Sequence, residues 1–302
     1  MFAEKVALSF LHGHSPSRGV IGVIAVPRDL PASRAHCRVE TYRDGAWHSL
    51  ELDFQGVALA HVGTGAAMEC WVLGREGDLA QVSADGVRRH RLPGAGSSAE
   101  PAYGYVDALR EVAGGLYACG HGRQVYGLHE GSWVRLSEAI LTREEGPGFL
   151  DVDGVSAHAL WAVGWLGEIW RYDGAGWQQE VSPTTAHLTS LRVLPNGDAW
   201  ACGFGGVVLN RRGGRWRSVD PGVYRGNWYG LEVYDGEVYL AGHGRLARVD
   251  HGRVVAVETG LSRPFSTHRL HARDGSLWSV SENHLLHFDG ERWSKVDHPA
   301  ND

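Results

Sequence analysis

LWAVGWLGEIWRYDGAGW, Leu160 to Trp177, is the clearest copy of a phrase that this chain repeats. Variants occur as LYACGHGRQVYGLHEGSW (Leu116 to Trp133), AWACGFGGVVLNRRGGRW (Ala199 to Trp216) and LWSVSENHLLHFDGERW (Leu277 to Trp293), with shorter echoes at Cys70 to Gly86 and Val238 to Arg253. The first aromatic of the phrase falls at Trp71, Tyr117, Trp161, Trp200, Tyr239 and Trp278, in steps of 46, 44, 39, 39 and 39 residues. Self-similarity at a period of about 40–50 residues marks propeller blades built from four short strands.

Within the phrase, LWAVG alternates large and small apolar side chains, which suits a strand buried between neighbouring blades. A turn at Trp165-Leu166-Gly167 leads into EIWRY, and Asp173-Gly174 supplies the positive φ that a tight hairpin needs. Trp177 opens the outer strand. The remaining strand precedes the phrase, at Tyr105–Val112, Phe149–Val155, Leu188–Leu194, Trp228–Tyr234 and Phe265–Ala272, with Val57–Val62 serving the Cys70 copy. At the N-terminus Val6–Leu11, Val20–Val26 and the ending Tyr42 to Trp47 make a degenerate first blade. The expected architecture is all-β: a seven-bladed β-propeller with four antiparallel strands per blade. It is expected to form one domain over residues 1–302, with no blade shared between the two ends.

Composition agrees with a packed repeat protein. Glycine is 42 of 302 residues, about twice ordinary usage, and the turns absorb the excess. The net charge of −6 argues against non-specific nucleic-acid binding. There is no run of about 18 apolar residues, so no membrane span is expected. MFAEKVALSFLHGH has too short an apolar stretch for a secretory signal. These features lead us to expect a cytoplasmic monomer. Cys119 and Cys202 share a column of the phrase two blades apart, and Cys70 shares one with Leu116 and Leu160, so they read as small buried hydrophobes. Cys37 has no place in the pattern. There is no CxxC and no zinc spacing.

The connections divide the molecule into two unlike faces. The c–d turns (Asp44-Gly45, Asp85-Gly86, Glu130-Gly131, Asp173-Gly174, Asp289-Gly290) and a–b turns (Gly114-Gly115, Asn196-Gly197, Asp235-Gly236, Asp274-Gly275) are tight. The d–a connections on the other face are long: Arg91 to Tyr105, Leu136 to Phe149, Val219 to Tyr229 and Val257 to Phe265. Blade 1 adds a b–c insertion, Pro27 to His36. Connections beyond minimal length carry function disproportionately, so the partner-binding surface is expected on the d–a and b–c face. Tyr103, Tyr105, Tyr224 and Trp228 offer flat anchors there, as do Tyr229 and Phe265, and Arg143, Arg225 and Arg263 offer charge. The b–c turns add His121, Arg123, Trp165, Phe204, His243 and Arg245. Aromatic residues and arginine are the types enriched at binding hot spots. The plainer reading is that many of these aromatics plug the inner ring, Trp228 and Phe265 first among them because they start strands.

Seventeen histidines require an enzyme to be considered. His121 and His243 occupy equivalent turns three blades apart, too distant to share a metal when packed sheets lie about 10 Å apart. His284 and His287, and likewise His268 and His271, are three apart on expected strands and so point to opposite faces. His12 and His14 flank a glycine in an expected loop. Asp153-Gly154 reads as an a–b turn rather than part of a calcium loop, and Glu144-Glu145 as solvated acids. No GxSxG, HExxH or phosphate-cradling glycine loop is present.

With its LWAVG strand and YDGxxW ending, the phrase resembles bacterial propellers of the BNR/YVTN-like and photosystem II assembly-factor-like class. The likeness covers most of the chain. The neuraminidase-type Asp box is echoed by YDGAGW without its serine, the sialidase arginine triad cannot be traced, and the WD and kelch signatures are missing. The resemblance implies a binding platform and leaves its ligand open. The expected function is a non-catalytic scaffold binding a protein partner, as an adaptor, assembly factor or toxin-neutralising immunity protein, with no cofactor, nucleic acid or membrane. The alternatives are a lyase or glycan hydrolase at the channel mouth, using His121, His243 or loop arginines, and a lectin, suggested by 12 tryptophans.

Overall fold

Positive φ at consecutive residues folds the chain back on itself at the expected places. Asp44 and Gly45 (φ 51° and 81°), Glu130 and Gly131 (50° and 78°), Asp235 and Gly236 (49° and 76°) and Asp274 and Gly275 (47° and 73°) make two-residue hairpins. In blade 3 the pair is Ala113 and Gly114 (φ 50° and 84°), one residue earlier than the sequence reading put it. Asp173 and Asp289 instead head longer turns, in which each Oδ1 accepts two backbone N–H groups: Ala175 and Gly176, and Glu291 and Arg292. Those hydrogen bonds hold both carboxyls below the usual aspartate range.

The computed structural model describes residues 6–29, 36–262 and 267–301. These residues form seven four-stranded antiparallel sheets, each made of four consecutive strands. The innermost strands are Leu8–Ser17, Gly56–Val62, Val106–Val112, Phe149–Ser156, Leu188–Val193, Trp228–Tyr234 and Arg269–Arg273. Each packs beside the next, and Leu8–Ser17 beside Arg269–Arg273, so the sheets form a closed ring, a seven-bladed propeller. Closure is non-covalent. Leu8, Phe10, Ile21 and Val23 of blade 1 share a core with Trp278, Val280 and Leu285 of blade 7. Phe10 N–H also donates to the Glu282 carbonyl at 2.7 Å, and Leu8 N–H to Asn301 Oδ1 at 2.7 Å.

Strand b, the LWAVG column, is buried on both faces between blades, as at Leu160 to Gly164 and Leu116 to Gly120. Cys119 and Cys202 are fully buried in that layer, and Cys37, which the pattern could not place, is fully buried in strand c of blade 1.

Innermost strands have a free edge toward the channel, whose backbone groups need partners. Side chains of the preceding blade supply them. Asp151 Oδ2 accepts Leu191 N–H (2.9 Å), Asp153 Oδ2 accepts Val193 N–H (2.8 Å) and Ser190 Oγ accepts Leu231 N–H (3.1 Å). His12 Nδ1 accepts Leu59 N–H (3.3 Å) and His271 Nδ1 accepts Ser15 N–H (3.2 Å). Asp153 therefore lies within the long inner strand Phe149–Ser156 and does not make the turn expected of it. His12 and His14 likewise belong to the inner strand Leu8–Ser17 rather than a loop.

Candidate partner-binding face

Two polar regions could host function: the channel and the d–a/b–c face. The channel is crowded and internally paired. Arg110 reaches Asp151 (2.7 Å), and Arg192 makes a two-point contact with Glu232 (2.7 Å to each oxygen). Removal from water raises Asp153 to about 6, against the pull of Arg192 and Arg110. Near the tight-turn end His14 lies against His271 (ring centroids 3.9 Å) and within 3.2 Å of His61, Nδ1 to Nδ1. Burial lowers His12, His14 and His271 well below the ordinary histidine value and His61 and His268 to about 4. These rings are neutral at physiological pH and serve as acceptors and packing groups. Among the described residues no group of three or more His, Cys, Asp or Glu could hold a metal ion.

On the opposite, looped face the b–c turns of blades 3, 4 and 5 are each bonded into the d–a connection that follows. Thr142 N–H donates to the Gly122 carbonyl (3.1 Å), and Gly122 N–H to the Pro147 carbonyl (3.1 Å). Leu166 N–H donates to His187 Nδ1 (3.0 Å), and Gly205 N–H to Asn227 Oδ1 (3.1 Å), the same contact one blade on. This locking fixes rings that sit in different repeats. Tyr105, His121, Trp165, His187, Phe204 and Tyr229 follow one another with centroid spacings of 5.9, 5.9, 4.6, 5.3 and 6.2 Å, mostly edge to face. The result is one aromatic arc across blades 3 to 6. His187 was not singled out in the sequence, because it lies outside the repeated phrase. Its one signal is that Asn227 stands 40 residues later in the matching place.

The anticipated residues distribute as follows. Tyr103, His121, Arg143 and Trp165 line one cavity of about 380 Å³ with Glu144 and Glu145. His121 Nε2 lies 3.3 Å from Asp107 Oδ2. Arg75 covers the Tyr105 ring at 3.9 Å, and Arg245 covers Tyr224 at 5.1 Å. Arg225 and His243 are exposed, and Phe204 is half-buried. Arg263 lies outside the described residues, as does Phe265. One expectation is corrected. Trp228 is 0% exposed, packed against Tyr224 (centroids 4.2 Å), and belongs to the core rather than the binding surface. Arg123 is tied to buried Glu168, with Nη2 and Nε both on the carboxylate, so it joins blades 3 and 4. His121 and His243 stay on separate blades and share no cavity.

No protein-family model matches the chain. Among solved structures it is similar to the WD40 propeller domain of Doa1 (TM-score 0.67, 11% identity, 98% of this chain and 95% of that one). It is also similar to YCF48 bound to D1 peptide (0.68, 13%, 97% and 93%). YCF48 from Cyanidioschyzon merolae matches over 81% of this chain and 85% of its own (0.60, 13%). At such identities the likeness shows the fold, and the fold-level resemblance read from the sequence holds. Fold and looped face together define a seven-bladed propeller with long connections on one face. Among curated proteins the chain is 31% identical over 235 residues to the immune protein Tsi7 of Pseudomonas aeruginosa, a match covering 74% of each chain. The chain belongs to the family of that immune protein.

Proposed function

We propose that this chain is an immune protein that neutralises a harmful protein by binding it through the d–a and b–c loop face. The observation that carries this is its family membership at 31% identity across most of both chains. The architecture supports it. Rigid strands present an aromatic arc and exposed arginines on one face, while the tight turns of the other face project little. Binding through a pre-formed surface costs little ordering entropy, which favours tight inhibition. The proposal includes the cytoplasm as the place of action, which suits four unpaired cysteines.

The test is co-expression. Each gene flanking that of this chain is expressed in a susceptible host, alone and together with the chain. One product is expected to stop growth alone, to be harmless with the chain, and to co-elute with it as a complex on gel filtration. If the chain rescues growth from none of them and forms no complex, the proposal is wrong.

A further inference from the structure

We infer that the partner docks over blades 4 to 6, seated on Leu166, and that it presents an apolar side chain flanked by carboxylates. The inference rests on the protein-binding reading above and adds to it the place and the chemistry.

Leu166 sits in the b–c turn of blade 4. Its backbone is left-handed (φ 57°), in the position that Gly205 (φ 67°) occupies in blade 5. A branched side chain is disfavoured there, and burial does not explain it, because Leu166 is 55% exposed. Backbone strain retained to hold an apolar side chain in solvent is the pattern of a ligand contact. Two further apolar residues stand on the d–a connections that follow blades 4 and 5, Val181 (90% exposed) and Val223 (85%). No other large hydrophobic among the described residues exceeds 41% exposure. Apolar exposure is thus concentrated on one sector of one face, which marks an interaction site. His187 and Phe204 of the aromatic arc belong to this sector. Beside Val223, with Tyr224, Arg245 and Val254, opens a cavity of about 290 Å³, roomy enough for one apolar side chain.

The sector's charge sets the rest of the partner's chemistry. Three of its carboxylates are already engaged, Glu168 by Arg123, Glu180 by Arg211 and Asp220 by Arg253, while Glu144 and Glu145 lie at its blade 3 edge. Two of its cations are not so engaged. Arg225 donates to the Gly222 and Tyr224 carbonyls, and Arg245 lies over the Tyr224 ring. Neither has a carboxylate within ion-pair reach among the described residues. A chain of net charge −6 therefore offers two uncompensated guanidinium groups beside its most exposed apolar residues. An acidic segment with an apolar side chain complements that surface, and a basic one does not.

The test uses the full chain in the cell, carrying the photo-crosslinker p-benzoylphenylalanine in place of Val181, of Val223, or of Asp274 on the opposite face. Irradiation is expected to join the first two forms, and not the third, to one protein, at a segment of net negative charge that contains an aliphatic or aromatic residue. Leu166→Gly, and separately Arg225→Glu with Arg245→Glu, should each reduce that yield about tenfold. Leu166→Gly should do so without lowering the thermal midpoint, which separates lost contact from lost fold. Crosslinking chiefly from Asp274, a basic captured segment, or yields unchanged by both variants overturns the inference. Rescue of growth together with capture at Asp274 sinks the placement alone. No rescue, and no capture from any position, sinks the immune-protein reading itself.

Discussion

Asp151 Oδ2 accepts the backbone N–H of Leu191 at 2.9 Å, joining the inner strands of blades 4 and 5 through a side chain. The same carboxylate holds Arg110 of blade 3 at 2.7 Å, so one buried aspartate spans three blades. Asp151→Ala leaves a buried guanidinium and a buried N–H without their partner. Loss of one member of a buried ion pair costs about 3–5 kcal/mol. Urea denaturation should show a shift of that order at unchanged m, with Asp151→Asn less affected because it keeps an acceptor oxygen. A shift below about 1 kcal/mol, the scale of an exposed pair, would refute the bridging role.

Stability should fall on mild acidification. Burial lowers five channel histidines, two of them to about 4, so below the unfolded value of 6.5 the unfolded chain binds more protons than the folded one. Folding free energy is therefore lost as pH drops from about 6.5 toward 4. Asp153, raised to about 6, acts in the opposite sense, since its folded form takes up a proton first and gains stability as pH falls from 6 toward 3.8. Five groups outweigh one, and the net direction is destabilising. Thermal midpoints measured from pH 7 to pH 4.5 should decline. A flat profile would show that the rings are hydrated and titrate normally. His61→Gln should shrink the decline.

Leu166→Gly should leave the fold as stable or raise it by up to about 1 kcal/mol. Relief of a left-handed leucine, worth about 1–2 kcal/mol, outweighs the entropy that glycine loses, about 0.5–1 kcal/mol. Differential scanning calorimetry of the purified chain decides this. A marked drop in midpoint would mean that the side chain packs in solution.

Trp228 and Arg225 lie three residues apart with opposite roles. Trp228→Ala opens a cavity in a closed core and should cost about 3–5 kcal/mol. Arg225→Ala, at an exposed site, should stay within about 0.5 kcal/mol of the parent while weakening partner binding. Guanidinium denaturation and isothermal titration with the co-eluting partner separate the two. Equal stability loss in both variants would contradict the assignment of Trp228 to the core and Arg225 to the face.

Much of the blade plan was legible because it is local. Trp161 and Trp200, or Cys119 and Cys202, recur at one column since every blade solves the same packing problem at the same spacing. Asp44-Gly45 declares its turn through a backbone conformation that few residues accept. The channel was not legible. Asp153-Gly154 has the composition of a turn and lies in a strand, because the N–H of Val193, 40 residues away, needs its carboxylate. His12 and His14 resemble loop residues and lie in an inner strand, and His14 is buried because the ring brings His61 and His271 against it. His187 carries no motif and becomes part of the arc only when blade 5 sets it between Trp165 and Phe204.

Sequence alone determined that there are seven units, where most of them turn, which layer the tryptophans and cysteines of the repeated phrase fill, and which face carries the long connections. Those properties follow from periodicity and turn chemistry, which act within about 40 residues. Tertiary structure alone decided which carboxylate meets which arginine, which histidines lose water, and that Leu166, Val181 and Val223 share one sector. Ring closure makes neighbours of residues whose separation in the chain encodes nothing about their contact.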